Sequence, residues 1–230
     1  MLSVVMATFN GGRFIHEQIA SILPQLSVGD ELIVSDDGSS DNTLQEIANF
    51  TDSRIRLVRN TGPHGVVPNF ENALRMVKGD VVFLCDQDDV WAPNKVELCM
   101  KALEHSDLVV HDLLFVDSEG NRSAGGFFES RNSGSGFWKN LYKNSFMGSC
   151  MAFKKYILDF ALPFPKDILW HDMWIGLVAE RKGRTTFIPE RLLYYRRHGS
   201  NVSPTGDKSS FTFMKQLQYR WSMLVNVLKI

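Results

Sequence analysis

The amino-acid sequence predicts an α/β protein with a mostly parallel central sheet flanked by helices. Three observations predict it. Short β-branched runs alternate with longer helical patterns through the N-terminal half. The apolar runs end abruptly in polar clusters, as strands do where a parallel sheet meets its ligand. A chain of 230 residues, 44% of them hydrophobic, also buries a core that needs no disulfide staples.

The elements follow in order. Leu2 to Ala7 reads as a first core strand: it is too short for a signal h-region, lacks a basic n-region and runs straight into Asn10-Gly11-Gly12. A helix over Arg13 to Leu23, a strand Glu31 to Ser35, a helix Thr43 to Phe50 and a strand Ile55 to Val58 continue the βαβ rhythm. Next come a helix through Asn69 to Val77, a strand Val81 to Leu84, a helix Asn94 to His105 and a strand Leu108 to Phe115. Ser40 or Asp41 can cap the second helix, Pro68 suits a first helical turn, and Pro93 opens the fourth helix. From Asp117 to Lys143 the pattern fails and Gly, Ser and Asn accumulate. This predicts a mobile loop, with Phe127, Phe128, Phe137 and Trp138 leaving lid and linker as even readings. A strand Cys150 to Phe153, a helix Asp172 to Arg181, a strand Thr185 to Ile188 and a basic-aromatic segment Tyr194 to His198 follow. Phe213, Leu217, Trp221, Leu224 and Val225 share helical spacing, so 206–230 is expected to be an amphipathic helix. Its apolar face would meet its own domain, a membrane surface or a partner, including a second copy of the chain. One domain, 1–205, precedes it, with a larger half (1–115) and a smaller half (116–205), which the resemblance named below makes the nucleotide-sugar-binding and acceptor-side halves.

Lys plus Arg total 25 against 26 Asp plus Glu, a formal charge of −1, and no long basic run occurs, which argues against nucleic acid as a partner. Cys85, Cys99 and Cys150 are odd in number and set among apolar residues, matching neither a disulfide framework nor a zinc pattern. A reducing, cytoplasmic setting is expected. No stretch approaches the length of a membrane span.

Chemistry concentrates in Phe83-Leu84-Cys85-Asp86-Gln87-Asp88-Asp89-Val90-Trp91. Three carboxylates at one strand end repel one another unless a cation or backbone N–H groups neutralise them. A solvated turn is the bland alternative. Asp88 is the expected ligand of Mg²⁺ or Mn²⁺, hard ions that take one or two carboxylates and complete their octahedron with phosphate oxygens. Asp86 and Asp89 then bind ribose hydroxyls or order the metal's waters. Asp36-Asp37 on a Gly38-Ser39-Ser40 turn can read the imide N–H of a pyrimidine, with Thr8 and Asn10 on the neighbouring loop, or merely cap the next helix. His198, after Arg196 and Arg197, offers a further ligand beside a diphosphate counter-charge. Asp172 opens its helix either as a cap or as a general base.

Taken together, Val4-Val5-Met6-Ala7-Thr8-Phe9-Asn10, Ile33-Val34-Ser35-Asp36-Asp37-Gly38-Ser39-Ser40-Asp41-Asn42-Thr43 and Asp86-Gln87-Asp88-Asp89 resemble an inverting glycosyltransferase of family 2 with the GT-A fold. The resemblance implies that Asp37 contacts the base, that Asp86 and Asp88 bind ribose and the metal-diphosphate, that Asp172 is the catalytic base and that His198 reaches the metal or diphosphate. Thr8, Asn10 and Arg196 join the donor site, and Asp88, Asp89 and His198 form the metal set. The implied partners are a nucleotide-diphosphate sugar and a glycan or lipid-linked oligosaccharide acceptor. Tyr195-Arg196-Arg197-His198-Gly199-Ser200-Asn201-Val202 and the wording after Asp89 resemble bacterial rhamnosyltransferases of surface polysaccharide, which makes dTDP-rhamnose the first donor expected. Processive members carry QxxRW, whereas Gln218-Tyr219-Arg220-Trp221 has different spacing. Two rivals remain: a sugar nucleotidyltransferase, for which Asn10-Gly11-Gly12-Arg13 would be a weak phosphate loop, and a degenerate nucleotide-sugar-binding module. The lack of a GxGxxG after the first strand sets dinucleotide dehydrogenases aside.

Overall fold

The computed structural model describes residues 1–117, 122–198 and 212–230, and their side chains apart from those of 122–124 and 213. The Gly199-Ser200-Asn201 segment expected beside His198, the 205/206 boundary and the side chain of Phe213 lie outside the described residues. The elements are β1 (Leu2–Thr8), α1 (Ile15–Ile22), β2 (Glu31–Asp36), α2 (Thr43–Ala48), β3 (Ile55–Arg59), α3 (Val66–Leu74), β4 (Val81–Asp86), β5 (Val90–Trp91), α4 (Lys95–Leu103), β6 (Leu108–Val116) and β7 (Arg122–Gly126). After them come α5 (Phe127–Arg131), α6 (Phe137–Tyr142), β8 (Met151–Lys154), α7 (Leu158–Ala161), α8 (His171–Lys182), β9 (Thr185–Arg196) and α9 (Phe213–Leu228).

The described strands form one sheet in the order β3-β2-β1-β4-β8-β6-β9-β5, with β7 paired to β6. β1, β2, β3 and β4 are mutually parallel. Val4, Val5 and Met6 of β1, Leu32, Ile33 and Val34 of β2, and Val82, Phe83 and Leu84 of β4 are fully buried, the continuous apolar pattern of strands covered on both faces. Ile15, Ile19 and Ile22 of α1 and Phe70, Ala73 and Leu74 of α3 supply the covering side chains at helical spacing.

β8 inserts antiparallel between β4 and β6, and β9 runs parallel to β6. This arrangement sets where the site forms. Because β8 opposes β4, the turn before β8 (Gly148–Cys150) lies beside the end of β4, where Asp86 stands. β9 ends at Arg196 on the same edge, and β5, antiparallel to β9, starts there just after Asp89.

Several sequence expectations change. The 117–143 segment is not irregular throughout. β7 joins β6 across a register shift, and α5 and α6 follow; pairing to a distant strand leaves little mark on a Gly-rich local sequence. β9 continues eight residues beyond the expected Ile188, to Arg196, and β5 was not expected at all. α2 has Asn42, not Ser40 or Asp41, at its N-cap position, although Asp41 accepts the Thr43 amide at 3.0 Å. α3 starts three residues before Asn69, which keeps Pro68 in its first turn. Pro93 precedes α4, whose N-cap is Asn94. α9 lies on its own domain: Met223 and Val227 are fully buried, Ser222 donates to Asp167 and Lys182 donates to the Ile230 carbonyl. No described helix is long and apolar enough to cross a membrane.

Candidate active site

Three strand ends of the parallel half build the first wall. Asp36 closes the turn after β2, accepting the Gly38 amide at 3.0 Å, the Ser39 amide at 3.1 Å and the Ser39 hydroxyl at 2.5 Å. Gly38 has φ +90°, a left-handed conformation that a Cβ disfavours. This leaves Asp37 to face outward from the turn, but it does not stand alone. It accepts from the Asn60 amide at 2.7 Å and the Gly65 amide at 2.8 Å, and pairs with His64 at 3.2 Å. Asn10, itself at φ +49°, receives the Ser40 amide on its Oδ1 at 2.8 Å, so the β1 and β2 loops are sewn together. Thr8 is buried and donates to Gln87 Oε1 at 2.5 Å, joining the β1 loop to the acidic turn.

The acidic turn itself places its carboxylates at different depths. Asp86 is half-buried, and burial, then repulsion by Asp88 and Asp172, pushes its pKa up to about 7. Asp172, far away in sequence, is brought near Asp86 because it holds the Gly148 amide in the turn beside the end of β4. Asp88 is half-buried with its Oδ2 3.0 Å from His198 Nε2, and burial raises its pKa against the pull of His198 and Arg196. Asp89 is 0% exposed; one oxygen accepts the Arg196 amide at 3.1 Å and the other is buried without a hydrogen bond. Burial first, then Asp88 and Asp86, raise it well above the usual carboxylate range.

The far wall comes from α8 and the turn before β8. Asp172 accepts the Met173 amide at 2.6 Å and the Gly148 amide at 3.3 Å, and burial lifts its pKa to about 6. It does not act as the N-cap, a position held by Trp170. His171 beside it stacks on Phe70 with centroids 3.9 Å apart, and burial lowers its pKa to about 3, so the imidazole is neutral.

Every sequence-predicted site residue therefore lies on one sheet edge, in two groups. Thr8, Asn10 and Asp37 follow β1 and β2; Asp86, Asp88, Asp89, Arg196, His198 and Asp172 surround the end of β4. Arg196 reaches across to Glu17 of α1, at 2.5 Å, and lies over Phe14, on which His198 also stacks at 4.6 Å. Sequence reasoning missed Phe14, Asn60, His64, Gly65 and Gly148. Asn60-Thr61-Gly62-Pro63-His64-Gly65 carries a usable signal, a turn-rich cluster after a strand, whereas nothing local distinguishes Phe14 or Gly148.

For a divalent cation, the donor set is the Asp88 carboxylate and the His198 imidazole. An oxygen and a nitrogen held together on an acidic turn suit Mg²⁺ or Mn²⁺ when substrate oxygens fill the other positions. Among the described residues no three acidic, His or Cys side chains converge as a complete metal cage.

Residues 3–160 match the family model described as glycosyl transferase family 2. Over 98 residues the chain is 37% identical to the UDP-Glc:alpha-D-GlcNAc-diphosphoundecaprenol beta-1,3-glucosyltransferase WfgD of Escherichia coli, covering 43% of this chain and 39% of that one. Over 218 residues it is 26% identical to the dTDP-rhamnosyl transferase RfbG of Shigella flexneri, covering 85% and 72%. Its fold is similar to that of S. aureus TarS 1-349 in complex with UDP-GlcNAc, with TM-score 0.75 and 19% identity over 99% of this chain and 66% of that one. The mannosyltransferase PcManGT from Pyrobaculum calidifontis, in complex with GDP-Man and Mn2+, gives 0.64 and 20% over 99% and 63%. The chain thus spans well under two thirds of WfgD and just under two thirds of the TarS fragment. With most of its length matched by the family model and its strands arranged as in these neighbours, the chain belongs to glycosyl transferase family 2 and has the GT-A fold.

Proposed function

We propose that this chain transfers a sugar from a nucleotide-diphosphate donor to a hydroxyl of a glycan or lipid-linked oligosaccharide, inverting the anomeric carbon. The carrying observation is that Asp172, held by the Gly148 amide, stands at the end of β4 with Asp86 and Asp88; burial raises the pKa of all three, and repulsion by Asp88 and Asp172 raises that of Asp86 further. Crowded carboxylates of this kind disfavour their own ionisation unless a cation joins them.

On the donor side Asp37, Asn10 and Thr8 receive the nucleoside, Asp86 takes the ribose hydroxyls, and Arg196 provides positive charge toward the diphosphate. Asp88 and His198 are the protein ligands of Mg²⁺ or Mn²⁺. Asp89, wholly buried and bonded to the Arg196 amide, braces the turn behind them rather than facing the ion. Bound there, the ion supplies the charge that stabilises the departing diphosphate. Asp172 accepts the acceptor's proton as that oxygen attacks opposite the leaving group. The new C–O bond forms as the bond to the diphosphate oxygen breaks, and the electron pair leaves with the nucleoside diphosphate. One displacement inverts the centre without a nucleophilic carboxylate.

The donor is proposed to be dTDP-rhamnose, supported by the likeness to RfbG, with UDP-glucose next on the likeness to WfgD. WfgD's name also specifies a diphosphoundecaprenol-linked substrate, which supports a lipid-linked acceptor. Exposed Trp138, Tyr142 and Trp221, with Lys139 and Arg220 alongside, support peripheral contact with the inner face of a membrane carrying such a lipid. Whether two copies of the chain associate is tested by the mass in sedimentation equilibrium.

Calorimetric titration of nucleoside diphosphates, with Mn²⁺ and with chelator, on wild type and Asp88→Ala tests the donor site. Metal-dependent binding of thymidine or uridine diphosphate that Asp88→Ala abolishes supports it. Binding without turnover of any sugar nucleotide favours the degenerate module, and pyrophosphate release from a nucleoside triphosphate and a sugar phosphate favours the nucleotidyltransferase.

A further inference from the structure

Lys95, the first residue of α4, is 0% exposed, and lysine is rarely so deeply buried without a paired charge. Among the described residues no carboxylate lies within ion-pair distance of its ammonium. Instead Nζ donates to the Ser149 carbonyl at 2.6 Å and sits 4.0 Å from the centroid of the Trp91 ring. Both contacts lead to the active site. Ser149 follows Gly148, whose amide holds Asp172, in the turn that lies beside the end of β4, where Asp86 stands. Trp91 belongs to β5, which leaves the acidic turn two residues after Asp89 and pairs with β9 just before Arg196.

A desolvated ammonium is expensive to bury, and apolar residues of similar shape often serve stability as well or better. A core built only for packing would have no use for it. What an ammonium adds is a directional donor: it pins the carbonyl of one turn from beneath while its charge rests on the indole of another. The three thiols Cys85, Cys99 and Cys150 are buried around it and, raised by burial, carry no compensating charge; burial lowers the pKa of the ammonium itself, and Asp89 is the carboxylate whose charge acts on it.

We infer that Lys95 is a positioning residue that clamps the 148–150 turn against β5 and so sets the orientation of Asp172 relative to the acidic turn. The inference rests on the proposed role of Asp172 as base. Lys95 acts through the turn: it holds the carbonyl of the Ser149–Cys150 peptide, and the N–H of the Met147–Gly148 peptide in the same turn holds Asp172. It touches neither donor nor acceptor.

Lys95→Met keeps the length of the side chain and removes the donor and the charge. In the full chain it should lower kcat by on the order of tenfold or more while donor KM stays within about threefold. In an Asp172→Asn background the same substitution should have little further effect, since both changes then remove one function. A second readout needs no turnover: in the wild type the Gly148 amide proton resonance should titrate with the Asp172 carboxyl near pH 6, and in Lys95→Met that response should shrink or move to higher pH. An unchanged Gly148 titration, or equal kcat losses in both backgrounds, overturns the inference. If the wild type transfers no sugar, the catalytic reading fails, and the Gly148 resonance still decides whether Lys95 orients the carboxyl. Should Lys95→Met not fold, Lys95→Leu, which likewise removes the donor and the charge, serves with the same outcomes.

Discussion

Asp172 accepts from two backbone amides and is half-buried, an environment that binds a carboxylate firmly yet resists its charge. Its pKa of about 6 suits a base that must be ionised before the acceptor arrives and take up a proton during transfer. Asp172→Asn should retain donor binding and lose transfer by on the order of 10²-fold or more, read as kcat beside a calorimetric Kd. For the wild type, kcat should rise about tenfold per pH unit below pH 6 and level off above it, because only the ionised base works. The same shift has the opposite sign for stability. The unfolded carboxyl ionises near its ordinary value of 3.8 while the folded one holds its proton to about 6, so this group's contribution is lost as pH rises between them. Relative to Asp172→Asn, the wild type should therefore lose about 2 kcal/mol of unfolding free energy between pH 4 and pH 8 in urea titrations. A pH-independent difference would mean that the side chain is not desolvated.

At the scale of elements, the site depends on strand direction. β1, β2, β3 and β4 deliver their carboxyl ends to one edge, and reversing β8 brings the beginning of that strand to the same place. Turns at this edge are correspondingly constrained. Gly38→Ala puts a Cβ on a residue at φ +90° and should cost about 1 kcal/mol or more while weakening nucleotide binding through the Asp36 turn. α9 separates into two faces of different consequence. Met223→Ala empties a fully buried position and should cost about 2–4 kcal/mol, measured by chemical denaturation. Trp221→Ala, at a residue 67% exposed, should change stability by no more than about 0.5 kcal/mol and lower co-sedimentation with anionic vesicles if this face meets a bilayer.

For the whole molecule, the candidate site lies where the parallel strands meet the antiparallel β8, so ligands that neutralise its carboxylates should stabilise the entire fold. Mn²⁺ with a nucleoside diphosphate at about 100 times Kd should add on the order of 3 kcal/mol, seen as a raised Tm that Asp88→Ala abolishes. The sequence alone was enough for the α/β class, the first four parallel strands and the identity of the acidic residues, because local periodicity and strand-end polarity report burial directly. It also placed Asp37, Asp88, Asp172 and His198 as candidates. What it could not show is that the Gly148 turn brings Asp172 beside Asp86, that Asp89 is turned inward to the Arg196 amide, or that Lys95 holds the same turn through the Ser149 carbonyl. Nor could it show that β7, α5 and α6 give structure to a Gly-rich stretch. Those facts depend on pairings between residues distant in sequence, and the direction of a strand or the depth of a carboxylate is set by the neighbours it meets after folding.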